Sequence, residues 1–186
     1  MPWLCKLIKI YRINTATFKH ISGYIIGDPR FKTIRNSKKD IIYAWTKKEY
    51  KNLELLKDIG VRAPIPIKSQ NNVLIMEYIG QKNKPAPLLK DTQIINPEYI
   101  FKTLIDYISK MYKKVKIVHA DLSAFNVLIH KNEPVLIDLG QGVLLDHPQS
   151  DIFLRRDITN IVNYFKRYKI KSNEKNIYNK ITNKTW

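Results

Sequence analysis

Residues 118–141 read VHADLSAFNVLIHKNEPVLIDLGQ and concentrate side chains that handle protons and metal ions. Asn126 follows Asp121 by five residues, and Asp138 follows Asn126 by twelve. Two apolar VLI runs, separated by the polar segment HKNEP, lie between Asn126 and Asp138. Short apolar runs around a polar turn are typical of a strand–turn–strand unit. We therefore expect one rigid hairpin to hold all three side chains.

This residue set matches the needs of phosphoryl transfer from a nucleotide. The reaction requires positioning, a divalent metal ion and a group that orients the acceptor hydroxyl. Asp121 is the candidate catalytic aspartate. Asn126 and Asp138 offer oxygen ligands of the kind that Mg²⁺ prefers. The alternative is that Asp121 and Asn126 only cap turns and that Asp138 ends a strand. We expect His119 to brace this loop rather than to act as a base.

A phosphate-binding lysine on a strand, paired with a glutamate on a helix, would complete such a site. Lys9 in LIKIYR occupies the strand position, and an outward-facing lysine on an edge strand is the alternative reading. Glu49 in KKEYKNLELL is the preferred partner, and Glu54 is the other candidate.

The segment MEYIG, residues 76–80, ends an apolar strand and leads into a proline-containing connector. We expect the carbonyl of Glu77 and the amide of Ile79 to hold an adenine ring there. The alternative is an ordinary strand end without a ligand.

Composition sets broad limits on the class of protein. The chain has 186 residues and a formal net charge of +17, from 26 lysines and 7 arginines against 16 acidic residues. A basic balance favours nucleic-acid contact, but the lysine excess also resembles the imprint of A/T-rich coding sequence. No apolar run reaches 18 residues, so we expect no membrane association. The single cysteine, Cys5, fits a reducing cytoplasm and is expected to be a buried small hydrophobe.

Periodicity and breakers predict an α+β chain with two lobes. In order, the expected parts are a partial N-lobe over residues 1–79 (a lysine strand, a mobile loop at 23–40, a helix at 41–59 and a hairpin at 61–79), a C-lobe over 80–170 with the catalytic hairpin, and a frayed polar tail over 171–186. Within the C-lobe we expect helices from Pro97 to about Lys114 and from Ile152 to Tyr168.

Taken together, these segments resemble the first branch of the RIO family of atypical serine/threonine protein kinases. The resemblance is carried by KIYRI, YIIGDPRF, the WxxxEYxNL helix, GVRAPIPI, VLIMEYIG, PAPLLKD, HADLSAFNVL, IDLGQGV and FLRRDITNI, over residues 7 to about 168. It implies a trimmed protein-kinase-like fold, without an activation segment or peptide-binding subdomain. It also implies ATP and Mg²⁺ as cofactors and a cytoplasmic role in maturation of the small ribosomal subunit.

The same resemblance implies roles for individual residues. Asp121 would be the catalytic aspartate, Asn126 and Asp138 the metal ligands, and Lys9 the nucleotide-phosphate lysine. Asp138 would also be the site of a phospho-aspartate intermediate.

One departure from the family is expected at the start of the sequence. Family members carry a small helical domain, two strands and a glycine-containing phosphate loop before the lysine strand. A miscalled start, a separate complementing N-terminal segment or a remnant would each explain the difference.

Three functions therefore remain open from the sequence. The first is a RIO-type kinase or ATPase acting with the pre-ribosomal small subunit. The second is a catalytically impaired, basic ribosome-assembly module. The third is a small-molecule phosphotransferase with a similar arrangement of Asp, Asn and Asp.

Overall fold

In the computed structural model, residues 5–12, 21, 24–25, 28–31, 37–81 and 84–186 are described. They combine helices with short antiparallel sheets, as the α+β prediction required. The helices are α1 (Lys38–Lys57), α2 (Pro97–Lys114), α3 (Ser150–Phe165) and α4 (Glu174–Thr182). The strands are β1 (Lys6–Ile10), β2 (Pro66–Gln70), β3 (Val73–Glu77), β4 (Gly80–Gln81), β5 (Lys84–Pro85), β6 (Ile117–Val118), β7 (Val127–His130), β8 (Glu133–Leu136) and β9 (Val143–Leu144).

The N-terminal sheet has the strand order β1–β3–β2, and both pairs are antiparallel. The turn between β2 and β3 contains Asn71 in the left-handed region, at φ 52°. Within the described residues β1 has one neighbour, so it is an edge strand, and its Ile8 and Ile10 are exposed. Cys5 is also exposed, so the prediction that it is buried was wrong. The reason is that strand pairing covers only one side of this segment.

Helix α1 begins earlier than predicted, at Lys38 rather than residue 41. Ser37 caps it, because its hydroxyl oxygen accepts a hydrogen bond from the Asp40 amide at 3.1 Å. Such a cap satisfies an amide that the helix cannot pair internally. The sequence analysis overlooked this cap because it started the helix at the first apolar residue.

The segment expected to be a mobile loop at 23–40 lies partly outside the described residues. Its described part is packed rather than solvated. Asp28 and Phe31 are buried, and the Asp28 carboxylate accepts hydrogen bonds from the Arg30 guanidinium at 2.9 and 2.7 Å. Phe31 joins an apolar cluster with residues of α1, including Ile42 and Trp45.

The C-terminal part consists of helices around the hairpin of β7 and β8. Helix α2 is confirmed, with Asn96 as its N-cap and Pro97 in the first turn. The prediction of a frayed tail at 171–186 was wrong, because α4 forms there and packs against α2 and α3. Tyr178 and Ile181, three residues apart, supply its buried face. No helix in the described ranges is both long and apolar enough to cross a membrane.

Candidate active site

The hairpin β7–β8 brings the ends of its two strands together. Its turn residues Lys131 and Asn132 both lie in the left-handed region, at φ 54° and 63°, as a tight two-residue hairpin turn requires. Beyond the ladder, the Ile137 amide donates to the Asn126 carbonyl oxygen at 3.0 Å. Asp138 is the next residue after Ile137, so this hydrogen bond keeps Asp138 close to Asn126.

Asp121 lies beside Asn126 in the preceding loop. The side-chain nitrogen of Asn126 donates to both the backbone carbonyl oxygen and the carboxylate of Asp121, at 2.8 and 2.9 Å. The Gln141 side-chain amide donates to the same carboxylate oxygen at 2.9 Å. With its nitrogen so engaged, Asn126 keeps its side-chain oxygen available to another ligand.

The loop that carries Asp121 is fixed from α3. The buried carboxylate of Asp157 accepts hydrogen bonds from the amides of Ala120 and Leu122, each at 2.9 Å. Ala120 has φ 65°, a strained value for a residue with a side chain, so these bonds hold a conformation the backbone would not favour alone. Burial raises the pKa of Asp157 to about 7, although the two amides act in the opposite direction.

His119 occupies the position predicted for a structural brace. It is buried, and its Nε2 atom is 3.1 Å from the carbonyl oxygen of Ile137, so it links the loop to the end of the hairpin. Burial lowers its pKa, which favours the neutral ring.

Lys9 lies between two carboxylates. Its Nζ atom is 3.0 Å from each carboxylate oxygen of Glu49 and 2.9 Å from Oδ1 of Asp138. Burial acts to lower the pKa of Lys9, but the two carboxylate charges outweigh it and the pKa is raised. Burial raises the pKa of Glu49 to about 7, against the attraction of Lys9. The other candidate partner, Glu54, is exposed on the far side of the helix.

A cleft of about 300 Å³ adjoins these charges. Glu77 and Ile79 also line it, together with the apolar side chains of Leu7 and Met76. The Glu77 carboxylate is turned away to Arg62 and accepts the Ile65 amide at 3.1 Å. The Ile65 amide therefore donates to the Glu77 side chain and not to the Glu77 backbone carbonyl, which was the predicted adenine contact. Of the predicted site residues, the cleft is lined by Lys9, Glu49, Glu77, Ile79, Asn126 and Asp138, and Asp121 adjoins it through Asn126.

The donor set suits a hard divalent cation. Asn126 and Asp138, whose side chains carry oxygen atoms, both line the cleft, and the Asp138 side chain is 43% exposed. Mg²⁺ is bound by few protein oxygens and completes its shell with water and phosphate, so two protein ligands fit it. In the described ranges no group of three or more His, Cys, Asp or Glu side chains is arranged to hold a metal ion.

A family model described as the RIO domain matches residues 5–177, which is most of the chain. The chain belongs to the RIO family. Among curated relatives, the RIO-type serine/threonine-protein kinase Rio1 of Thermoplasma acidophilum is 45% identical over 89% of this chain and 87% of its own length. The Rio1 proteins of Methanocaldococcus jannaschii and Haloferax volcanii are 41% and 40% identical. The chain spans 61% and 60% of their lengths.

Solved RIO structures share the fold of this RIO chain. The Rio2 kinase–ADP/Mg²⁺–phosphoaspartate complex from Chaetomium thermophilum aligns with a TM-score of 0.66 and 20% identity, covering 93% of this chain and 53% of that one. This agreement supports the predicted protein-kinase-like fold.

Two residues of this RIO site were not found from the sequence. Gln141 donates a hydrogen bond to the Asp121 carboxylate, and Asp157 accepts hydrogen bonds from the backbone on both sides of Asp121. Asp157 gave one usable signal, since it lies on the inward face of a helix whose neighbours Ile158 and Ile161 are buried. An acidic residue on such a face needs buried hydrogen-bond donors. Gln141 gave no comparable signal.

Proposed function

We propose that this chain is a RIO-type serine/threonine protein kinase or ATPase that transfers the γ-phosphoryl group of ATP. The observation that carries the proposal is the position of Lys9, held between Glu49 and Asp138 at one side of the cleft. A lysine so held is oriented to contact nucleotide phosphates. The names of the relatives, which are serine/threonine-protein kinases, support the same assignment.

The proposed roles follow from chemistry and placement. The Glu77 carbonyl and the Ile79 amide would bind adenine, and Lys9 the phosphates. Asn126 and Asp138 would hold Mg²⁺, which neutralises the phosphates when bound. Asp121, oriented by Asn126 and Gln141, would accept the proton of the attacking hydroxyl. In the ATPase form of the reaction, the Asp138 carboxylate would attack the γ-phosphorus as the bond to ADP breaks, and water would then hydrolyse the phospho-aspartate to release phosphate.

Two finer elements of the proposal rest on the family resemblance. One is the pre-ribosomal small subunit as the partner, which the net charge of +17 also favours through contact with RNA phosphates. The other is a cytoplasmic location.

The test is Mg²⁺-dependent release of phosphate from ATP. The Asp138→Asn variant keeps the shape of the side chain and removes its charge, so turnover should fall at least about 100-fold while the fold persists. The matched control is Asp146→Asn, the same change at an exposed position outside the cleft, which should leave turnover unchanged. Undiminished turnover in folded Asp138→Asn would refute the metal assignment.

Nucleotide binding separates the proposal from its alternatives. Lys9→Ala should weaken ADP binding more than adenosine binding, since its partner is phosphate. Equal losses for the two ligands would show that Lys9 is only structural. Nucleotide binding without turnover would favour an assembly module, and turnover on a small alcohol a small-molecule phosphotransferase.

A further inference from the structure

The turn that follows Asp138, residues 139–142, is attached to one face of helix α1. The Lys48 ammonium group donates to the carbonyl oxygen of Gly140 at 3.0 Å and contacts that of Gly142. The Asn52 amide nitrogen donates to the carbonyl oxygens of Leu139 and Gly142, at 2.7 and 2.9 Å. Lys48 and Asn52 are four residues apart, so they lie one above the other on the helix.

Trp45, one turn earlier, completes this face. A Cβ atom added to Gly140 would lie 2.8–2.9 Å from three atoms of the Trp45 ring. The backbone of the turn therefore packs directly on the indole, and only glycine allows that approach. Three residues at helical spacing thus hold one short turn.

Burial makes the two polar attachments costly to lose. Lys48 and Asn52 are both 0% exposed, and a buried polar group without a partner destabilises the fold. Burial lowers the pKa of Lys48 to about 7, and the charge of Asp28 acts against this. A neutral amine has two N–H donors and an ammonium three, so either form can serve both carbonyls.

The orientation of Asn52 is itself fixed. Its side-chain oxygen accepts a hydrogen bond from the Arg30 guanidinium at 2.8 Å, and Arg30 is held by the buried Asp28. Because Arg30 has only donors, the oxygen of Asn52 must point to it and the nitrogen to the turn.

The turn needs such support because of the groups that it carries. Asp138, immediately before it, has φ 60° and ψ 59°, a left-handed conformation that costs about 1–2 kcal/mol for a residue with a side chain. Within the turn, Gln141 donates to the Asp121 carboxylate. One turn therefore sets the position of a metal ligand and of the donor that orients the catalytic aspartate.

We propose that Lys48 and Asn52 are positioning residues that hold the turn, so that the placement of α1 sets the affinity of the site for its divalent cation. The inference rests on the proposed function, because it concerns the metal bound with the nucleotide. Glu49 lies on the same helix and contacts Lys9, so α1 aligns the phosphate-binding lysine and the metal ligand together.

The test is a Mg²⁺ titration of nucleotide binding, using a fluorescent ADP analogue and the full chain. Lys48→Met keeps an unbranched side chain and removes the N–H donors. We expect its apparent Mg²⁺ affinity to fall about ten-fold or more, within the range seen for residues that orient metal ligands. Binding of the analogue without Mg²⁺ should change less than two-fold. The control Lys47→Met makes the same substitution at an exposed position of the same helix and should match wild type.

A second variant guards against a folding defect in the first. Asn52→Leu acts on the same turn from the adjacent position and should show the same selective loss of Mg²⁺ affinity. The double variant should lose less than the sum of the two single losses, because both act on one turn.

The outcomes separate the two proposals. A wild-type chain without Mg²⁺-dependent nucleotide binding would overturn the proposed function. Wild-type binding with unchanged Mg²⁺ affinity in either folded variant would overturn this inference alone, even if the variants were less stable, because the residues would then be merely structural.

Discussion

Three charged side chains at the cleft show how burial and charge compete at single residues. Glu49 is 1% exposed, and among the described residues its ion-pair partner is the Lys9 ammonium group, which also contacts Asp138. A buried carboxylate that shares its counter-ion is less easily ionised than an exposed one. The raised pKa of Glu49, about 7 against an ordinary value of 4.5, expresses this cost.

The stability of the chain should therefore depend on the protonation of Glu49. The folded state binds this proton more tightly than the unfolded state, so the contribution is complete below pH 4.5 and is lost as the pH rises through 7. Relative to Glu49→Gln, the free energy of unfolding of wild type should fall by up to about 3 kcal/mol across that window. Urea unfolding of both chains at several pH values measures the difference.

The comparison removes other titrating groups, since the raised pKa of Asp157 acts equally in both chains. Glu54→Gln, at an exposed position of the same helix, should run parallel to wild type. Parallel curves for Glu49→Gln as well would contradict the raised pKa.

The sequence predicted the proximity of Asp121, Asn126 and Asp138 and the pairing of Lys9 with Glu49, but not the contacts of Lys48. Asp121, Asn126 and Asp138 lie within one hairpin and its preceding loop, so their separation in sequence reports their geometry. The partners of Lys48 lie 92 and 94 residues away, and nothing near Lys48 in sequence indicates them. Lys48 precedes the inward-facing Glu49, so the sequence alone favours a solvent-exposed lysine. Its burial is explained only by the turn that it contacts.

At the scale of elements, α3 supports the loop that carries Asp121. The sequence predicted this helix from its apolar face, while its most consequential side chain, Asp157, is acidic. Asn160 adds a second attachment, donating from its side chain to the Leu122 carbonyl oxygen at 3.1 Å. The helix thus contributes specific hydrogen bonds in addition to apolar packing.

Removing the Asp157 carboxylate should therefore destabilise the chain strongly. Asp157→Ala leaves two buried amides without acceptors, which should cost about 2–5 kcal/mol of unfolding free energy. It should also lower turnover by releasing the Asp121 loop. Chemical denaturation measures the first effect, and Asn163→Ala, at an exposed site of the same helix, is the control. A loss below about 1 kcal/mol would show that water replaces the carboxylate.

Element boundaries were predicted where a cap and an apolar period agreed. Asn96 and Pro97 mark the start of α2 in both respects, and the helix begins there. Helix α4 was missed because a nine-residue segment with two buried side chains carries little periodic signal. Tertiary contacts with α2 and α3 supply what its composition lacks.

At the scale of the whole molecule, α4 ties the C-terminal segment to the helical core. Tyr178 is 1% exposed and donates a hydrogen bond to Asp151 of α3. Its ring packs edge-on against the ring of Trp186, with 5.3 Å between the ring centroids. The Arg155 guanidinium lies over both rings, at 4.2 and 4.7 Å. One aromatic side chain therefore joins α3, α4 and the residues that follow.

Two substitutions should separate the packing of Tyr178 from its hydrogen bond. Tyr178→Ala removes a buried ring and should cost about 3–5 kcal/mol of unfolding free energy. Tyr178→Phe keeps the ring and should cost about 1–2 kcal/mol, because Asp151 is half-exposed and can bind water instead. Thermal and chemical denaturation measure both. Equal losses would assign the stability to the hydrogen bond rather than to the packing.

The hydrogen bonds between Asp157 and the Asp121 loop also have a consequence for the order of events during synthesis. Asp157 lies 37 residues after Ala120 and 35 residues after Leu122. A ribosome makes the chain from its N-terminus onward. Ala120 and Leu122 are therefore made before the carboxylate that shapes them. The Asp121 loop therefore acquires its form only when α3 has been made, so a nascent chain that already contains every earlier part of the cleft does not yet hold Asp121 in place.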